Sequence, residues 1–169
     1  MAKSTFSGPV KSLAGFISAG VNNSVSLTAD TTLTVEAHAG KILLCNDADG
    51  KFTLPSIVTT TPSDPTDPNQ PTNIGATFNF YIETAATDLD IKTDGTDKFK
   101  GAILIAVDDG AKKAFVPAAT NDVITMNGST KGGIVGSIVS FTAIDTATYL
   151  VHSSLLIGSG TIVTPYADA

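Results

Sequence analysis

Apolar and polar residues alternate in short runs from about Val25 to Val163, and Gly, Pro and Asn-Asp punctuation cuts the runs every few residues. A period of two sends successive side chains to opposite faces of an extended chain, so each run predicts a half-buried β-strand. Val25 and Leu27 alternate with Ser24, Ser26 and Thr28, and Leu33 and Val35 with Thr32, Thr34 and Glu36, with a turn expected at Ala29-Asp30. Ile42-Leu43-Leu44-Cys45 is apolar without a break, the pattern of a strand covered on both faces. Asn46-Asp47-Ala48-Asp49-Gly50 then turns the chain into Phe52-Thr53-Leu54-Pro55. Phe78, Phe80 and Ile82 alternate with Thr77, Asn79 and Tyr81, and Leu89 and Ile91 with Asp88, Asp90 and Lys92, as expected of half-buried antiparallel strands. Further strands are predicted over 99–107, 114–116, 122–126, 134–143, 148–153 and 155–163. Residues 141–151 form a predicted hairpin turning near Asp145-Thr146. With many short strands and no crossover helices, the expected fold is all-β, an antiparallel β-sandwich or jelly-roll-like domain.

Two segments break the alternation. Residues 1–24 are rich in Gly and Ser, and Phe6, Val10, Leu13, Phe16, Ile17 and Val21 stand as isolated apolar anchors. Gly8-Pro9, Gly15 and Gly20 interrupt them too often for a helix or one long strand, so an extended N-terminal arm is expected over 1–24, ahead of a single β domain over 25–169. Such an arm becomes ordered only by docking, and Phe6, Pro9, Val10, Lys11, Leu13 and Phe16 are its candidate contact residues. Residues 59–72 read as a loop in which Pro62, Pro65, Pro68 and Pro71 recur every third residue. Polyproline II has three residues per turn, so these rings would share one edge of a stiff projecting element.

Composition narrows the function. At 169 residues one domain is expected, with about 70% of the unfolded surface buried on folding. Charged residues make up 15% of the chain, 14 Asp and two Glu against ten Lys, for a net charge of −6 and no Arg. Phosphate backbones are bound by clustered cations, and Lys98/Lys100 with Lys112/Lys113 are the nearest approach to a cluster. They read as solvated strand ends, so no nucleic-acid partner is expected. The apolar run at 102–107 is too short to span a bilayer, and no membrane partner is expected either. No uninterrupted apolar stretch follows Lys3, so the chain is expected to be made soluble in the cytoplasm. Cys45, the one Cys, cannot form an intramolecular disulfide and reads as a buried small hydrophobe.

Side chains that do chemistry are sparse. Gly50 would be the sixth position of a calcium loop, but the first and twelfth would then be Cys45 and Ser56, where carboxylates are required. Asp88, Asp90, Asp94 and Asp97 bracket an Asp-Gly turn and read as a strand followed by that turn. His38 and His152 lack metal-ligand spacing, and neither Ser153 nor Ser154 lies in a Gly-x-Ser-x-Gly elbow. Gly132-Gly133-Ile134-Val135-Gly136-Ser137 has no phosphate-loop Lys and reads as a turn entering a strand. The expectation is a non-enzymatic protein with no catalytic residue, cofactor or metal.

Ser4-Thr5-Phe6-Ser7-Gly8-Pro9-Val10-Lys11-Ser12 with Gly15-Phe16, the hairpin at 141–151, and Gly160-Thr161 together resemble small virion proteins of tailed bacteriophages, of the head decoration or cement type. Leu54-Pro55 and Gly75-Ala76-Thr77-Phe78-Asn79-Phe80 fit the same resemblance, while Tyr149 stands where many such proteins carry Trp after the hairpin turn. The resemblance implies a β-rich homo-trimer on the capsid exterior of the virion, over junctions between major capsid protein subunits, with an arm tying neighbours together. An alternative expectation is a tail-fibre or baseplate-associated module that binds host glycans through loop 59–72. Sugar sites favour exposed aromatics, and Tyr81, Tyr149 and Tyr166 are the only Tyr of a chain without Trp.

Overall fold

The computed structural model describes residues 23–58, 72–108 and 110–169. The expected contact residues Phe6, Pro9, Val10, Lys11, Leu13 and Phe16, and the prolines Pro62, Pro65, Pro68 and Pro71, lie outside these.

The described residues are mostly β. In chain order the strands are β1 (Ser24–Leu27), β2 (Thr31–Thr32), β3 (Ile42–Cys45), β4 (Lys51–Thr53), β5 (Thr77–Ile82), β6 (Leu89–Lys92) and β7 (Lys98–Gly101). They continue as β8 (Ile103–Ala106), β9 (Lys112–Phe115), β10 (Val123–Met126), β11 (Ile138–Ala143), β12 (Thr148–Ile157) and β13 (Tyr166–Ala167). An eight-stranded sheet runs β1-β3-β5-β11-β12-β8-β9, with β7 also on β12, and a five-stranded sheet runs β13-β10-β6-β4-β2. Ser24, inside the expected arm, is the first residue of β1.

The sheets are mixed, which corrects the expectation of antiparallel strands. β1, β3 and β5 are parallel neighbours in the larger sheet, and β2, β4 and β6 in the smaller. The reason lies in the links. Residues 46–50 carry the chain from β3 across to β4 in the other sheet instead of folding it back as a hairpin. A chain that crosses over and returns one place along arrives pointing the same way. Parallel pairing needs a crossover of about a dozen residues, and here a strand of the opposite sheet supplies it in place of a helix. Beyond β6 both directions occur: β10 on β6, β11 on β5 and β12 on β11 are antiparallel, whereas β7 and β8 lie parallel to β12.

Inward-facing residues of both sheets form one cluster. Phe52 of β4 stacks on Phe80 of β5 at 6.3 Å between ring centroids, which ties the smaller sheet to the larger. Phe141 of β11 lies 5.6 Å from Phe80 and 5.2 Å from Phe99 of β7. Tyr149 packs edge-on against Phe78, and its buried hydroxyl donates to the Pro55 carbonyl at 2.6 Å. Fully burying each such ring is worth about 1.5–3 kcal/mol relative to exposure.

The hairpin forms where expected, with Ala143 opposite Tyr149. Three local expectations do not hold. Residues 33–36 are not strand: Thr34 caps a one-turn helix α1 (Val35–His38), its hydroxyl accepting from the Ala37 N–H, and only Leu33 reaches the core while Val35 is exposed. The run 99–107 is two strands, broken after Gly101, whose φ of +109° ends β7. The two runs at 148–153 and 155–163 are joined into one strand, β12, which ends at Ile157 and carries a bulge.

Candidate functional site

The outer face of the eight-stranded sheet is where the described residues leave the most side-chain chemistry unabsorbed by the core. Its geometry follows from register. Asn79 of β5 lies beside Ser140 of β11, which lies beside His152 of β12; Asn79 and Ser140 alternate with buried neighbours, and His152 follows the buried Val151. These polar groups satisfy one another. Ser140 Oγ donates to Asn79 Oδ1 at 2.9 Å, Thr77 and Thr142 hydroxyls meet at 2.8 Å, and Thr142 Oγ1 lies 2.8 Å from His152 Nε2.

The next row is apolar. Leu44 of β3 neighbours Tyr81, Tyr81 neighbours Ile138, Ile138 neighbours Leu155, and Leu155 neighbours Leu104 of β8. Leu155 takes this place only because β12 bulges: Ile138 faces Leu155 and Ser140 faces His152, so three residues of β12 span two of β11. Ser153 absorbs the extra residue with φ +47°, and Ser154 Oγ anchors the bulge on the Ala102 carbonyl at 2.9 Å. The extra residue inverts the alternation, turning Leu156 inward and Leu155 outward. Ile42, one row away, is 52% exposed. Among the described residues the strand Ile42–Cys45 is covered on its inner face only, where the sequence pattern leads one to expect cover on both.

The groups singled out for chemistry are dispersed. His152 Nδ1 lies 3.3 Å from Ser153 Oγ, but its other nitrogen is engaged by Thr142, and among the described residues no carboxylate orients the ring. His38 Nδ1 accepts from the Thr34 N–H at 3.0 Å within its own helical turn. Cys45 is fully buried, and desolvation pushes its thiol up to about 12, so it stays protonated at neutral pH. Among the described residues no three of His, Cys, Asp and Glu are grouped as metal ligands require, and no helix is long and apolar enough to cross a membrane.

The acidic series divides in two. Lys51 places its ammonium 2.9 Å from Asp88 and 3.0 Å from Asp90, filling the position between those carboxylates. Asp94 accepts the N–H groups of Thr96 and Asp97 at 2.8 and 3.2 Å, a turn cap. Asp97 is buried and accepts the Ile57 N–H at 2.8 Å. Burial, then the nearby Asp94 and Asp145 carboxylates, hold its carboxyl above the usual range, against the opposing Ile57 bond. A raised native value means that the folded state binds this proton more tightly than the unfolded chain. The contribution of Asp97 to stability therefore falls as pH rises from the ordinary carboxylate value through the native one. Asp97→Asn keeps an oxygen for Ile57 and removes the titration. It is expected to flatten that slope between pH 4 and 7 and to be at least as stable as the native chain at pH 7, whereas Asp97→Ala, which orphans a buried N–H, loses about 1–3 kcal/mol. Urea unfolding at both pH values checks this, and an Asn variant as weak as the Ala variant at pH 7 would show that the charge itself is required.

The basic pairs are not a cluster of free cations. Lys98 Nζ bridges Asp122 and the Gly95 carbonyl, each at 2.6 Å, and Lys113 Nζ donates to the Ile162 carbonyl at 3.1 Å. Lys98 and Lys100 border an open groove of about 850 Å³ whose far wall is residues 116–119. A smaller pocket of about 340 Å³ between Leu33, Val35, Pro55 and Asn73 has no aromatic among its described lining residues. The outer apolar row is the feature that sequence reasoning missed. The unbroken Ile42–Cys45 run was its one local signal; the remainder depends on register between strands far apart in the chain.

Compared with known proteins, the chain matches no family model, no curated protein and no solved structure.

Proposed function

We propose that the protein is a non-enzymatic decoration or cement protein of a tailed-phage capsid, binding the outside of the mature head and stabilising contacts between major capsid protein subunits. In this reading a single β domain over 25–169, a two-sheet sandwich, is the rigid body, and the arm over 1–24 reaches for neighbouring subunits of the shell, as a homo-trimer. The observation that carries it is the attachment of the N-terminal segment: Asn23 enters β1, an edge strand of the larger sheet among the described residues, and its carbonyl accepts the Ile42 N–H at 2.9 Å. Joining the body at a sheet edge suits a segment whose partner is a neighbouring subunit. The hairpin of β11 and β12 is part of the resemblance that suggested this class, from which Tyr149, in the place of the usual Trp, departs. The dispersed His, Cys and Asp side chains fit a protein that works by surface complementarity, and the net charge of −6 favours solubility before assembly.

Binding only the expanded shell would stabilise it by linkage. Purified protein is expected to co-sediment saturably with expanded shells lacking it and not with compact precursors. A variant without residues 1–20 is expected to keep its β-sheet circular dichroism and lose at least about tenfold in affinity, roughly 1.4 kcal/mol. Unchanged affinity of the truncated protein would remove the arm from the contact. Absence of binding to either shell would overturn the capsid reading, and glycan binding by the intact protein would favour the fibre or baseplate module instead.

A further inference from the structure

The apolar row on the outer face has no cover among the described residues. Leu44, Tyr81, Ile138, Leu155 and Leu104 are consecutive register neighbours on β3, β5, β11, β12 and β8, and span about 19 Å at the usual strand spacing. Ile138 is 42% and Leu155 41% exposed. Because the polar side chains beside them are paired with one another, the row is the part of this face that gains most from being covered. A continuous apolar patch rimmed by polar groups marks an interaction surface.

We propose that residues 1–22 of the same chain lie across this row in the unattached protein. Their point of entry is the first argument: Asn23 leads into β1 beside Ile42, and Ser26, the register neighbour of Leu44, follows three residues on, so the segment joins the same sheet edge roughly 10 Å from the end of the row. Reach is the second, since twenty-two extended residues span roughly 70 Å and the row needs less than a third of that. Chemistry is the third. Phe6, Val10, Leu13, Phe16-Ile17 and Val21 are spaced by Gly, Ser, Ala, Pro9 and Lys11, with only Lys3 and Lys11 charged, a composition suited to laying apolar side chains along a flat apolar track. Finally, Ile42-Leu43-Leu44-Cys45 carries the pattern of a strand covered on both faces, and the described residues cover one.

The inference concerns the isolated protein and stands whether or not the capsid reading does; if both hold, attachment transfers the arm from its own sheet to the shell. The test uses the full chain and no capsid. Two variants act on opposite partners: Phe6→Asp/Leu13→Asp/Phe16→Asp in the arm, and Ile138→Ser/Leu155→Ser in the sheet. The native protein is expected to bind anilinonaphthalene sulfonate weakly. The arm variant is expected to raise dye emission several-fold with unchanged circular dichroism. The sheet variant is expected to stay dim while trypsin cleaves after Lys11 several-fold faster than in the native chain. A native protein as bright as the arm variant, or an unaltered Lys11 cleavage rate in a folded sheet variant, overturns the proposal. A native oligomer that stays dim when its arm is charged assigns the cover to a second copy and overturns it too.

Discussion

Replacing Phe141 by Ala is expected to lower the unfolding free energy by about 4 kcal/mol, enough to move the thermal midpoint down by roughly 10 °C in a chain of this size. Phe141 is fully buried at the centre of β11, where it pairs with Phe78 on one side and Val151 on the other. Its ring touches both Phe80 and Phe99, and Phe80 in turn stacks on Phe52 of the opposite sheet. Removing it opens a cavity at the point where the two sheets share side chains. That cavity cannot collapse easily, because β11 is held by strand ladders along both edges. Ile138→Ala on the outer face of the same strand isolates the effect, and is expected to change stability by no more than about 0.5 kcal/mol in the truncated chain that lacks residues 1–22. Urea unfolding of the two variants gives the comparison. A Phe141→Ala loss below about 1.5 kcal/mol would mean that the core relaxes around the vacancy.

The inward residues were legible because alternation is local. Phe78, Phe80, Ile82, Leu89 and Ile91 all point into the core as the period of two requires. The hairpin was legible for the same reason, its turn chemistry at Asp145-Thr146 lying between runs that pair directly; Asp145 accepts the Ala147 N–H at 2.9 Å. Strand direction was not. Whether β3 and β5 run parallel depends on which sheet residues 46–53 join, and no residue in either strand records that choice. Leu33 and Val35 show how a period of two can mislead over four residues, since Thr34 is as good a helix cap as it is a strand residue. On the candidate surface the difficulty was parity. A bulge at Ser153 reverses which of Leu155 and Leu156 faces out, and a positive φ at a Ser has no signature in the surrounding residues. The expected arm contacts and the Pro62, Pro65, Pro68 and Pro71 edge lie outside the described residues, and Ile42–Cys45, which reads as doubly covered, is covered by the described residues on its inner face only.

Gly101→Ala is expected to be nearly as damaging as the loss of Phe141, for a reason of backbone approach and not of packing volume. Gly101 adopts φ +109°, and a Cβ added there would stand 2.2 Å from the carbonyl oxygen of Val151, its own register partner on β12. Contact with a backbone carbonyl cannot be relieved by a rotamer change, so the ladder joining β7 to β12 must open. That ladder holds Phe99 against Phe141, and the next residue, Ala102, receives the Ser154 hydroxyl that anchors the bulge. Gly95 supplies the control: its φ is +90°, yet nothing lies within 4 Å of its added Cβ. Gly95→Ala therefore incurs conformational strain alone, about 1–3 kcal/mol, and Gly101→Ala is expected to exceed it by at least about 2 kcal/mol. Amide exchange should report the same difference in space, with protection lost along residues 98–101 and 148–151 in the Gly101 variant and retained there in the Gly95 variant. Equal losses in the two variants would show that β7 can move away from β12 without disturbing the core, and that the junction at Gly101 and Ala102 is a hinge rather than a fixed joint.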